Sequence, residues 1–286
     1  MNLFKTIILQ KMKFLITVHC ILVLLTSLSA YAGNTPAADG GHDAAALAKK
    51  LANPIASLIS MPFQYNYDEN YGADDEGSVS KLNIQPVIPI TLNDKWNLIT
   101  RTIMPLIDQQ DIPFKGEDES GIGDITASQF LSPAAPTDRG WIWGVGMVEL
   151  IPTASDDMLG GEKWGLGPTA VALKQVGPWT FGGLFNHIWS VAGDDDRADI
   201  SSTFIQPFLA FVIKKTYTTI SINTESSYDW ETNKWSVPIN LGVYQMLKVG
   251  GVPIQIGGGV RYWAESPDAG PEDWGARAQL TFLFPK

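Results

Sequence analysis

Cysteine is almost missing from this 286-residue chain, where Cys20 stands alone. One thiol makes no intrachain disulfide and no multi-thiolate metal centre. Histidine is nearly as scarce, with three in all. Positive charge is in deficit: 20 Lys and Arg face 30 Asp and Glu, for a formal net charge of −10. That balance argues against nucleic acid as a partner. Long apolar runs are missing beyond Gly33, because Pro, Gly, Asn, Gln or Arg interrupts each one. No later segment therefore reads as a transmembrane helix. Yet 45% of the residues are apolar and ten are Trp.

The chain opens with a leader. Lys5, Lys11 and Lys13 precede a mostly apolar run from Phe14 to Leu25, and Ala30-Tyr31-Ala32 supplies small residues for cleavage. Residues 1–32 read as a secretory signal peptide cut before Gly33, with Met12 an alternative start. Cys20 lies inside this leader, and Thr17-Val18-His19 before it does not resemble a lipoprotein site. Residues 33–57 form a small, polar tail and a short helix. Asp43 would cap that helix, Leu47 and Leu51 would share one face, and Pro54 would end it, giving 43–53.

From residue 58 onward the chain is rhythmic. Twelve alternating segments are expected as strands: 58–67, 78–91, 96–106, 122–131, 141–151, 167–175, 179–191, 201–212, 218–229, 235–246, 252–264 and 274–284. Most approach the ~9–11 residues that cross a bilayer when tilted. The alternation is clearest late in the chain. Ile254, Ile256, Val260 and Tyr262 oppose Gln255, Gly257, Gly259 and Arg261, and Ala276, Ala278, Leu280 and Phe282 oppose Arg277, Gln279 and Thr281. An apolar face toward lipid and a polar face toward a lumen predict an all-β, closed antiparallel transmembrane barrel over 58–286. A soluble sandwich would also alternate, with its apolar face inward.

Connection lengths favour the barrel. Short connections carry Lys95, Arg139, Lys214, Lys215 and Lys248, whereas most of the longer ones are acidic, as in Asp74-Asp75-Glu76 and Asp194-Asp195-Asp196. Short periplasmic turns and long outer loops are the barrel pattern. Trp96, Trp141 and Trp179 follow short turns. Trp189, Trp230, Trp235, Tyr262, Trp263 and Trp274 sit beside acidic loops, as two interfacial girdles would. The terminal Leu280-Thr281-Phe282-Leu283-Phe284 is similar to an outer-membrane insertion signal, although Pro285 and Lys286 follow it.

Chemistry-bearing motifs are few. His187 sits in Asn186-His187-Ile188-Trp189-Ser190, but residues 187 and 190 face opposite sides of a strand, unlike a nucleophile and its base. The acidic loops lack EF-hand spacing. Gly257-Gly258-Gly259 has no helix after it to make a phosphate loop and reads instead as a bend or as space in the lumen. No catalytic residue, metal site or cofactor is expected. The candidates for function are inward polar residues: Gln85, Arg101, Asp124, Glu149, Gln206, Asn223, Glu225, Asn240, Gln255, Arg261, Arg277 and Gln279. Such groups either set selectivity or pair across the lumen and fill it.

Several stretches carry a family resemblance: Gly121-Ile122-Gly123-Asp124-Ile125, Lys163-Trp164-Gly165-Leu166-Gly167-Pro168, Asn186-His187-Ile188-Trp189-Ser190-Val191-Ala192-Gly193, Gln206-Pro207-Phe208, Asn223-Thr224-Glu225-Ser226 and Gly259-Val260-Arg261-Tyr262-Trp263. From about Asn53 to the end the chain resembles the bacterial outer-membrane transporter family grouped with phenol-degradation meta-pathway proteins, some labelled "neuromedin U". The resemblance implies a barrel in the outer membrane, surrounded by lipid and lipopolysaccharide, that passes small organic solutes. It supplies no ligand residues. A structural barrel with a filled lumen and a lipid-active enzyme using His187 are the alternatives.

Overall fold

The computed structural model describes residues 41–284. The expected leader and the start of the tail lie outside the described residues. Among the described residues one helix, α1 (Gly41–Leu51), precedes fifteen strand segments. These are β1 (Ile59–Tyr71), β2 (Gly77–Ile84), β3 (Val87–Thr91), β4 (Trp96–Gln110), β5 (Glu119–Ile122), β6 (Ile125–Pro133), β7 (Trp141–Ile151) and β8 (Lys163–Val176). Then come β9 (Trp179–Gly193), β10 (Ser201–Ile213), β11 (Thr218–Thr224), β12 (Ser226–Asp229), β13 (Lys234–Val249), β14 (Val252–Glu265) and β15 (Asp273–Phe284).

Every neighbour in the sheet is antiparallel, and β1 pairs with both β2 and β15. The sheet thus closes into a twelve-stranded barrel, because β2–β3, β5–β6 and β11–β12 are each one stave. The three interruptions share one feature. Each lies opposite a proline, which has no N–H to return the cross-strand bond. Gln85 N donates to Pro62 O (2.9 Å), Gly123 N to Pro105 O (2.9 Å) and Glu225 N to Pro238 O (3.3 Å), and none is answered. Several staves run a few residues further toward the acidic loops than alternation alone suggests, as β4 and β8 do. At the other end the turns are tight. Gly250 and Gly251, both at positive φ (58° and 87°), join Val249 to its partner Val252, the backbone that a two-residue hairpin turn requires.

α1 begins two residues before the expected 43–53 and sits in the short-turn mouth. Ala48 is fully buried with Leu58, Val212, Met246 and Leu283, and Ala44, Leu47 and Leu51 pack around them. Gln175 donates its side-chain amide to Lys49 O at 2.7 Å, satisfying a carbonyl that the helix end leaves open. Beyond the helix, Ile55 inserts between Ile99, Phe130, Val171, Leu173 and Leu184.

The outer surface is apolar and rimmed by aromatics. Met147, Phe185, Ile205, Leu209, Ile222 and Leu241 are exposed there, with Trp141 and Trp179 toward one end and Trp189, Trp230 and Trp274 toward the other. Trp263 leaves the expected girdle. It shares the inward parity of Arg261, and its indole N–H donates to Asp68. A closed barrel with such a belt suits lipid, since closure pairs every edge strand. Among the described residues no helix is long and apolar enough to cross a membrane. The fold is a closed twelve-strand antiparallel barrel with a short helix ahead of it.

The lumen as the candidate functional site

Register fixes which side chains face inward, because directly paired residues share a face. Gln64 pairs with Gln279 and Asn83, Asn66 with Arg277 and Lys81, and Asn240 with Arg261 and Asn223. Half of the inner wall is therefore polar. It comes from the staves running from β11 through β15 and β1 to β4. The facing half, from β4 to β10, is largely apolar and carries Ile99, Phe130, Val171, Leu173 and Leu184, with Phe204 and Phe208 packed beside them. The polar face expected toward the lumen thus covers one half of the wall, and the other half is hydrocarbon-rich. The early strands place aliphatic or small residues on both sides, so their inner face is not polar.

A charged cluster crosses the polar half. Arg277 donates to both oxygens of Glu225 (3.0 and 2.6 Å) and through Nε to Asn66 Oδ1 (2.7 Å). Such a fork holds carboxylate and guanidinium in one plane. Arg261 reaches the same Glu225 at 3.9 Å and Asp68 at 3.5 Å. Its guanidinium lies 4.7 Å from the centre of the Trp263 ring, whose indole N–H bonds Asp68 at 2.9 Å. Lys81 lies within electrostatic range of Asp68 and Glu225, and Arg101 within range of Glu225. Four cationic groups (Lys81, Arg101, Arg261, Arg277) thus meet two acids (Asp68, Glu225), a local excess of two positive charges. Gly257 makes room on the inner wall: a Cβ there would lie 2.6 Å from Tyr244 Cα.

Between this cluster and α1 is a cavity of about 220 Å³. Gln85, Arg101, Gln206, Asn223, Glu225, Gln255, Arg277 and Gln279 line it, facing Ala48, Leu51 and Pro54. Asn240 and Arg261 lie outside this cavity but within the same network, where Asn240 donates to Asn223 at 2.9 Å. Two sequence candidates do other things. The Asp124 carboxylate accepts backbone N–H bonds from Thr153 (3.1 Å), Ala154 (3.1 Å) and Gly161 (2.7 Å), so it ties down the β7–β8 loop. Glu149 pairs with Ala127 and Leu166 and shares the outward parity of the exposed Val145 and Met147, so it faces away from the lumen. Sequence reasoning passed over Gln64, Asn66, Asp68 and Lys81. The alternating Gln64-Tyr65-Asn66-Tyr67-Asp68 was the available signal, hidden by ending the first strand at Tyr67.

The loop carrying Asp124's partners is also held from the next one. Arg197 donates to Asp157 O (2.7 Å) and to Gly160 O, and Lys163 meets Asp199 at 3.3 Å. Hydrogen bonds from Lys163 and Ser190 hold the Asp199 carboxyl below the usual carboxylate range.

No protein-family model matches the chain, and no curated protein matches it. Solved structures do. The chain is similar to the COG4313 outer membrane channel from Pseudomonas putida F1, with a TM-score of 0.62 and 14% identity over 80% of this chain and 96% of that one. That likeness establishes the fold. The NanC porin (TM-score 0.48, 9% identity, 80% and 100% covered) and outer membrane phospholipase A from Escherichia coli (0.45, 13%, 80% and 90%) are more distant.

His187 is not paired with Ser190. Its Nδ1 meets Thr203 Oγ1 at 2.7 Å, its ring packs on Trp189 at 4.1 Å, and Ser190 Oγ bonds Asp199 instead. By parity His187 faces outward, beside the aromatic rim.

Proposed function

We propose that this protein is an outer-membrane channel for passive passage of small organic solutes, with its short turns in the periplasm and its acidic loops outside. The observation that carries this reading is the cavity inside a lipid-belted barrel, walled by amides and guanidinium groups on one side and hydrocarbon on the other. Side chains of that kind exchange hydrogen bonds with a solute as it moves. Twelve strands enclose more space than the filled eight-strand case and far less than a porin of ~16–18 strands. The excess of two positive charges in the lumen favours anionic and neutral solutes over cations. The outer belt meets lipid and lipopolysaccharide, and the leader, cut before Gly33, directs export.

One observation favours a second reading, a structural barrel with a filled lumen. Arg277, Glu225, Asn66 and Arg261 pair across the polar half, and α1 occupies one mouth. Planar-bilayer recording of the purified protein separates the two. The channel reading predicts discrete steps with anion preference, and the filled barrel predicts silence at every voltage.

A further inference from the structure

Arg101 differs from its cationic neighbours in how little it touches. Arg277 makes three hydrogen bonds, two of them to a carboxylate. Arg101 makes one, from Nη2 to the neutral Gln85 Oε1 at 3.0 Å, and feels Glu225 only at a distance. A guanidinium has five N–H donors in a fixed fork. Arg101 lies on the cavity wall, and among the described residues its fork makes no hydrogen bond besides the one to Gln85. Leu51, Pro54, Val87 and Phe208 supply hydrocarbon to the same cavity. A forked cation beside an apolar wall is complementary to an organic anion with a compact apolar body. At about 220 Å³ the cavity is smaller than the ~300–1,000 Å³ of drug-sized sites, which limits the body to a few carbons or a single ring.

We propose that Arg101 is the anchoring residue of a binding site for a small organic monocarboxylate, held in the cavity between α1 and Glu225. The inference rests on the channel reading and names the solute class of the same lumen. The carboxylate takes the open fork of Arg101, and the hydrocarbon lies along Leu51 and Phe208. No bond is made or broken. The site is a resting place on a diffusive path.

The test uses the whole protein with three near-isosteric probes: butanoate, 1-butanol and butylammonium. Butanoate should bind the wild type in calorimetry and compete with its chloride current, whereas 1-butanol and butylammonium should do neither. Arg101→Gln should weaken butanoate binding at least tenfold, the size expected from losing a charge-assisted bond of about 1.5–3 kcal/mol. Arg101→Lys should restore part of the affinity. Equal butanoate binding in wild type and Arg101→Gln, or 1-butanol binding as tightly as butanoate, would overturn the assignment. So would a wild type that conducts but does not bind butanoate. The wild-type measurements stand even if Arg101→Gln does not assemble. A protein that conducts nothing and yet binds butanoate through Arg101 sinks the channel reading and leaves the site intact.

Discussion

Glu225 and Arg277 should not be equivalent partners, although they form one fork. Replacing Glu225 by Gln leaves four cations facing Asp68 alone. Replacing Arg277 by Met leaves three cations facing two acids, with Arg261 still 3.9 Å from Glu225. Each contact of this kind is worth about 4 kcal/mol gross at an effective dielectric near 20. Desolvation offsets most of that, and removing one partner of a buried pair typically costs about 3–5 kcal/mol. The Glu225 side chain keeps 20% exposure to the lumen, so the low end, about 3 kcal/mol, is expected for Glu225→Gln. Arg277→Met should cost less than Glu225→Gln, because Arg261 and the other cations still face Glu225. Urea unfolding in lipid vesicles, followed by the shift of the folded band on unheated gels, gives both numbers if the slope is unchanged. Glu225→Gln should also raise the anion-to-cation permeability ratio. If Arg277→Met proves as costly as Glu225→Gln, Glu225 does not serve several cations, and the account of the cluster is wrong.

Ala48→Glu puts a carboxylate into the apolar contact under α1, where Ala48 is fully buried. The helix should detach, so that bilayer conductance rises above wild type while barrel stability holds; unchanged conductance refutes a blocking role for α1. Gly257→Val drives a Cβ into the Val243 carbonyl and the Tyr244 backbone. Overpacking of this kind costs about 1–3 kcal/mol, and the yield of the heat-modifiable folded band should fall, a result that normal yield would contradict. Asp199 has its carboxyl lowered by Lys163 and Ser190, so its hold on the loop is complete above its unfolded pKa and is lost as pH falls through the lowered value, below about 4. Limited proteolysis of 190–200 by an acid-active protease should increase in that window for the wild type, whereas Asp199→Asn should be cut at all pH values. Equal, pH-independent protection in both proteins would remove the ion pair from the explanation.

The barrel was legible because its signal is repeated: twelve segments, tight turns between them, and aromatics at their ends. The inward residues were legible where polarity alternates cleanly, as from Asn223 to Gln279. They were not legible in β7, where Val145-Gly146-Met147-Val148 offers no contrast between faces. Glu149 was placed inward only because it is charged. Asp124 was misread for another reason. Its parity is inward, but a loop that folds back with free backbone N–H groups captures its carboxylate, and no single-strand pattern shows a partner 29 residues away. The reach of the cluster depends on Asp68 lying beside Arg261, a contact set by register across β1, β15 and β14 that no linear window contains.

The two-faced lumen has a consequence for how anything travels through it. At the level of the charged cluster its polarity varies around the circumference. A molecule with one charged end can stay in a single orientation, head along the arginine side and tail along the side of Phe208, and slide without tumbling. A molecule charged at both ends must drag one of them over hydrocarbon at every step. The barrel would then sort solutes by the layout of their charge more than by size, passing butanoate faster than succinate of the same chain length. A flux assay with that pair reads the difference directly, and equal rates would mean that the apolar side does not steer.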